Sequence, residues 1–160
     1  MYLLDANILI DAKNRYYAFD LAPGFWEWID KAHQSRSIAS IDAVQKELIA
    51  GNDDLADWAK SKTGFFLPVD QASVQLFPTL TQWASNGDYR QDAINEFTGQ
   101  NADYQLIAYA KAHRHVVVTN ERSQPLSKRR IMIPDACQAM GVATEDPFTM
   151  LRKSGARFVL

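Results

Sequence analysis

Apolar and polar positions in this chain alternate between two rhythms. Strand-length apolar runs fall at Tyr2–Leu4, Ser37–Ala39, Phe65–Leu67, Val116–Val118 and Ile131–Ile133, and the segments between them carry apolar residues at helical spacing. That succession predicts βαβ units, and hence an α/β fold with a mostly parallel central sheet flanked by helices. Ile8, Leu9 and Ala12 open the first helix, and Phe25, Trp26, Trp28, Ile29 and Ala32 mark a second over Gly24–His33. Ser40 is placed to cap a helix through Val44, Leu48 and Ile49 that stops at Gly51. Asp54–Lys62 reads as helical, and Asp70 caps a helix through Val74 and Leu76 whose continuation is interrupted by Pro78. Tyr89–Phe97 and Ala102–His113 follow, the latter capped by Asn101 and the most regular helix in the sequence. A polar turn over Thr119–Ser127, a helix from Pro134 to Gly141 and a last one over Pro147–Lys153 complete the chain, with no repeat or linker dividing it.

Composition narrows the class. With 160 residues, 47% hydrophobic and 11% aromatic, the chain is expected to form one domain, 1–160, around a substantial core. A net charge of -2 neither requires nor excludes a polyanionic partner. Its distribution is uneven, because residues 111–130 hold Lys111, Arg114, Arg122, Lys128, Arg129 and Arg130 against Glu121 alone. Cys137 is the single cysteine, so no intrachain disulfide is possible, and the chain opens on a strand-like segment rather than a charged and then apolar leader. A cytoplasmic location is the expectation. No apolar stretch approaches the roughly 20 residues that span a bilayer, so no membrane association is expected.

Candidate chemistry begins at Asp5, a carboxylate at the end of the first strand. In open α/β sheets ligands collect outside the carboxyl ends of the strands. Three more acids reach the same edge in this layout: Asp103 in the first turn of its helix, Glu121 just past Val116–Val118, and Glu47, which must extend in from a helix. Taken singly, each has an ordinary reading, Asp5 as a helix cap, Asp103 as a charge favoured by a helix dipole and Glu47 as a solvated side chain. Taken together they are costly, since at roughly 4 Å and an effective dielectric of about 20 each like-charged pair costs about 4 kcal/mol. A divalent cation offsets that repulsion, and an all-oxygen donor set selects Mg²⁺ or Mn²⁺ over Zn²⁺.

Four segments then resemble those of PIN-domain nucleases, in that family's order and spacing. They are Leu4-Asp5-Ala6-Asn7, Val44 to Leu48 around Glu47, the Ala102-Asp103 helix with Leu106, Ile107, Ala108 and Ala110, and Val117-Val118-Thr119-Asn120-Glu121. The resemblance spans Leu3 to about Gly141 and is nearest to stand-alone VapC-like toxins of toxin-antitoxin pairs. It implies a PIN-like three-layer α/β/α fold and a metal-dependent endoribonuclease hydrolysing RNA phosphodiester bonds. Asp5, Glu47, Asp103 and Glu121 would be its catalytic Mg²⁺ or Mn²⁺ ligands, directly or through water, with Asn7, Thr119 and, less directly, Asn120 as polar support. A cognate antitoxin and a homodimeric mate are the implied protein partners. Two departures stand out: Glu121 occupies a position that is usually Asp, and Ser123 one that is commonly acidic. Asp135 could restore that charge, or simply cap its helix.

Other residues carry weaker signals. Arg122, Lys128, Arg129 and Arg130, with Lys111 and Arg114, could hold a nucleic-acid backbone beside the acidic site or form a solvated loop. His33, His113 and His115 lack metal-ligand spacing, Cys137 reads as a buried small hydrophobe, and Phe25, Trp26, Trp28 and Trp58 read as core or interface aromatics. Rival functions are a PIN-like nuclease for RNA processing or DNA, a phosphohydrolase with Asp5 as nucleophile, and a catalytically degenerate nucleic-acid- or protein-binding module. The second is weakened because Asp5-Ala6-Asn7 lacks the second Asp of aspartyl-phosphate enzymes.

Overall fold

The computed structural model describes residues 1–159. Strand β1 (Tyr2–Leu4) runs into α1 (Ala6–Asp11), which continues as a π-helical turn over Ala12–Tyr16. Helix α2 (Pro23–Gln34) leads to β2 (Ile38–Ile41), α3 (Asp42–Ala50), α4 (Asp54–Ser61) and β3 (Phe66–Leu67). Four helices follow, α5 (Gln71–Val74), α6 (Phe77–Asn86), α7 (Gln91–Phe97) and α8 (Ala102–His113), before β4 (Val116–Val118). The chain then forms α9 (Ile133–Met140), β5 (Thr144–Glu145) and α10 (Pro147–Lys153).

The sheet has the order β3-β2-β1-β4-β5, and every pairing is parallel. Side chains alternate between the two faces of a strand, yet all of Ile38–Ile41 and the neighbouring pairs Leu3-Leu4 and Val117-Val118 are buried. Both faces are therefore covered by helices, giving three layers. Strand order runs outward from β1 through β2 to β3 and then resumes on the other side of β1 with β4. The crevice between the carboxyl ends of β1 and β4 is thus a topological switch point, where such sheets bind ligands. The pairings Leu3↔Val117 and Leu4↔Val118 set Asp5 beside Thr119 at those strand ends, with the Asp5 N–H donating to the Val118 carbonyl at 3.2 Å.

Three local expectations are corrected. Ile131–Ile133 is no strand: Ile131 and Met132 are a buried approach to α9 and Ile133 is its first residue. A short buried apolar run has the same signature in either conformation. The fifth strand is instead Thr144–Glu145, a two-residue edge strand too short and polar to announce itself. Ser40 does not cap α3; it lies inside β2, where its hydroxyl donates to the Leu4 carbonyl at 2.7 Å and holds the end of β1 in place. Pro78 does not end a helix either. It sits in the first turn of α6, where its missing N–H has no intrahelical partner to lose.

Candidate functional site

Asp5 is 1% exposed and begins α1 as its cap: one carboxylate oxygen accepts the Ile8 N–H at 2.9 Å. The other oxygen, Oδ2, is buried without a hydrogen-bond partner. Burial is the main reason its pKa rises to about 6; the Thr119 side chain and the Ile8 N–H pull it down, and Glu121 and Glu47 push it up again. Capping, the ordinary reading of Asp5, therefore accounts for half of the carboxylate only.

Asp103 reaches the same crevice from the first turn of α8. Asn101 fixes that start, its side-chain oxygen accepting the N–H groups of Asp103 at 2.8 Å and Tyr104 at 3.3 Å. Behind it Leu106–Ala110 are all buried, so α8 is a rigid core element that carries Asp103 at its amino end. Desolvation raises the Asp103 pKa to about 7, with added repulsion from Asp5, Glu121 and Glu47 and a smaller opposing pull from Arg130. Glu47, on the outer part of α3, is exposed but partly desolvated, which raises its pKa. The four acids singled out in the sequence thus share one electrostatic field at the switch point.

Glu121 has a second commitment. Its carboxylate accepts from Arg130 Nη2 at 2.6 Å and from the Ile133 N–H at 2.7 Å, capping α9 from outside the helix. Met132, at the capping position itself, supplies no side-chain bond. The extra methylene of Glu relative to Asp spans this gap. Thr119 is buried, and its hydroxyl oxygen accepts the Glu121 backbone N–H at 3.1 Å while its side chain stands near enough to Asp5 to lower that carboxyl's pKa. Asn7 is exposed on the first turn of α1, and Asn120 donates to Asp11 at 3.0 Å, which turns its amide away from Asp5 toward the end of α1.

Asp135 neither caps its own helix nor stands free. It accepts from the Ser123 hydroxyl and, at 2.8 Å, from the Gln124 N–H, tying the 121–130 loop to α9. The residue at the commonly acidic position is therefore hydrogen-bonded to Asp135. Among the basic residues, Arg130 lines a pocket of about 200 Å³ with Asp103, Asn101 and Glu96, Lys128 pairs loosely with Asp88, and Arg122 and Arg129 are exposed. Lys111 and Arg114 do not join them. They lie toward the far end of α8, about 12 and 16 Å along the axis from Asp103 at 1.5 Å per residue, where they border His115 and Gly141.

The donor set fits a hard divalent cation in chemistry and charge: all oxygen, two carboxyls held protonatable by burial, and one buried oxygen with no partner. Among the described residues, no three acidic, imidazole or thiol side chains are closed into a ready coordination shell. Arg130 is the positive group set against Glu121 in this arrangement. Cys137 lies buried behind Asp103 and Glu121, its thiol pushed up to about 12 chiefly by desolvation, so it is inert as a nucleophile. The aromatics divide: Phe25 and Trp26 are core, while Trp28 and Trp58 are partly buried against it. Ser40 was missed as a support of the site; its only signal was one hydroxyl inside the apolar run Ile38–Ile41.

Comparison with known proteins agrees with this architecture. The chain belongs to the family described as Domain of unknown function (DUF4411), which matches residues 2–158. No curated protein matches it in sequence. Among solved structures it is similar to FitAcB from Neisseria gonorrhoeae, with a TM-score of 0.58 and 18% identity over 92% of this chain and 99% of that one. FitAB bound to an IR36 DNA fragment gives 0.57 and 18% over 92% and 96%. VapBC2 from Rickettsia felis, bound to a DNA fragment from its promoter, gives 0.55 and 16% over 91% and 97%. The fold is the PIN type that the sequence resemblance implied. No helix among the described residues is long and apolar enough to cross a membrane.

Proposed function

We propose, from the PIN-type fold and the acids gathered at its switch point, that the protein is a metal-dependent endoribonuclease acting as the toxin of a toxin-antitoxin pair. The observation that carries the reading is Asp5: a buried carboxylate oxygen with no partner, at the switch point, in the field of three other acids. Asp5, Asp103 and Glu47, with Glu121 through water or after Arg130 moves aside, would hold Mg²⁺ or Mn²⁺. When bound, the ion supplies an activated water or hydroxide and Lewis-acid stabilisation of the phosphodiester.

The chain's own groups have separable tasks. Asp5 is oriented by the Ile8 N–H, so its free oxygen is aimed before any ligand arrives. Thr119 holds the backbone of Glu121 at the start of the site loop. With pKa values near 6 and 7, Asp5 and Asp103 can take up or give up a proton close to neutrality, the range in which acid-base groups work best. Arg130, beside Asp103, and the exposed Arg122, Lys128 and Arg129 would retain a polyanionic strand that the acids alone repel.

The restraining partner, a cognate antitoxin, is supported by the likeness to FitAB and VapBC2 and by exposed aromatics. Tyr16, Phe148 and Phe158 leave 53%, 39% and 40% of their surface open, and Tyr16 and Phe148 meet edge to face with centroids 5.6 Å apart, an apolar patch that a partner would cover. The same surface would serve a homodimer. A second reading, a non-catalytic binding module of the PIN type, is favoured by one observation, the commitment of both Glu121 oxygens to Arg130 and Ile133. The two separate in one assay. Wild-type protein with Mg²⁺ or Mn²⁺ is expected to cut single-stranded RNA, and EDTA or Asp5→Asn to lower the rate at least about 100-fold, the scale of losing one preorganised electrostatic group. Cleavage by Asp5→Asn at the wild-type rate would defeat the nuclease assignment.

A further inference from the structure

A second cavity, of about 410 Å³, lies between α6, the segment leading to α7, and the loop before α9. Its distinctive linings are Trp83, Tyr89, Leu126, Lys128, Asp135 and Gln138. The volume is within the roughly 300–1,000 Å³ of small-ligand sites. We propose that it receives one unstacked nucleobase of a single-stranded RNA whose neighbouring phosphate lies at the carboxylate crevice. This rests on the nuclease reading for the neighbouring phosphate, but not for the base site itself.

Four observations point to a base. Trp83 and Tyr89 meet edge to face at 65° with centroids 5.8 Å apart, so each ring keeps at least one face clear of the other, and both are half-buried. A flat π-system stacks on such a face regardless of sequence. Gly87 leaves the Tyr89 ring its room, since a Cβ there would stand 3.1 Å from two ring carbons and push the ring aside. At the inner wall the buried Asp135 has one hydrogen bond on each oxygen, from Ser123 and Gln124, and each oxygen retains a lone pair. Gln138 adds a donor and an acceptor, so the edge of a base can be read as well as its face.

The rim and the route fit a strand. Lys128 pairs with Asp88 at 3.8 Å with both side chains largely in water, a contact weak enough to yield to a phosphate. Its carbonyl accepts the Arg90 N–H at 2.8 Å, which fixes the loop at this point. Two residues on, about 7 Å of chain at most, Arg130 lines the pocket of Asp103. A backbone following Lys128 to Arg130 leads from the aromatic cavity to the carboxylates.

The test uses the full chain carrying Asp5→Asn, so that the probe is not consumed, titrated with a short end-labelled single-stranded RNA of mixed sequence and read by anisotropy. Adding Tyr89→Leu, which keeps apolar bulk but removes the ring, is expected to weaken binding about 5- to 150-fold, the range for losing one stacked base. Tyr89→Phe is expected to retain affinity, and a duplex of the same sequence to be indifferent to either change. Unchanged affinity in Tyr89→Leu, or an equal loss on duplex, overturns the proposal. Should Tyr89→Leu be poorly folded, Gln138→Ala at the surface of α9 gives the same decision by a smaller loss on the single strand alone. Wild-type cleavage with unaltered binding in both variants removes the base site and leaves the nuclease. Selective loss of binding in a protein that never cleaves RNA does the reverse.

Discussion

A folded chain seldom keeps a buried carboxylate oxygen without a partner, because desolvation alone costs several kcal/mol for the charged form. Asp5 keeps one, and raises its pKa to about 6 in doing so. Its place was readable from the sequence as an acid closing an apolar strand. The partners of Glu121 were not, because Arg130 and the Ile133 N–H lie 9 and 12 residues further on and meet it only when the loop closes. That double contact gives Glu121 a structural weight independent of any ligand. Glu121→Ala is expected to cost about 1–3 kcal/mol, the cost of leaving a buried donor unpaired, measured by urea unfolding of the metal-free protein. A pure ligand role predicts instead no loss, or a gain from relieved repulsion.

At the scale of elements, caps and register decide where the acids stand. Asn101 sets the first turn of α8 and hence Asp103, and the sequence disclosed both through a polar cap before a long apolar helix. Asn101→Ala is expected to lose about 0.5–2 kcal/mol of stability and to weaken Mn²⁺ binding, as followed by thermal unfolding with and without the ion; an unchanged midpoint in both would contradict this. Elements without a strong period were the illegible ones. The edge strand β5 carries Thr144 and Glu145 alone, and Ile131-Met132 is apolar because it is buried beneath the site loop rather than because it pairs. Ser40 looked like a cap because hydroxyl residues favour both places; only the neighbouring strand, through the Leu4 carbonyl, distinguishes them. The Trp83–Tyr89 cavity was invisible for a similar reason, since its walls come from α6, the 125–128 loop and α9.

Across the whole molecule, four acids gather at the carboxyl end of β1 and β4 with Arg130 set among them, while Lys111 and Arg114 sit toward the opposite end of α8. Burial of two of these acids, Asp5 and Asp103, shapes stability against pH. Asp5 and Asp103 have native pKa values of about 6 and 7, above the ordinary 3.8, so the native state holds protons that the unfolded chain releases. Their stabilising contribution is complete below pH 3.8 and is lost as pH rises through 6 and 7. Asp53, Asp70 and Asp146 are shifted downward and act in the opposite sense, losing their contribution only as pH falls below 3.8. The metal-free melting temperature is therefore expected to fall between pH 5 and pH 8, and the fall to shrink in Asp5→Asn; a rise across that window would contradict the placement of these acids. The central claim, that they form one divalent-cation site, is tested most directly by calorimetric titration of Mn²⁺ into wild-type and Asp5→Asn protein near pH 7. Saturable binding with proton release in the wild type, weakened by at least about 10- to 100-fold in Asp5→Asn as for a disrupted metal site, is the predicted result. Equal binding by the two proteins, or none by the wild type, would contradict it.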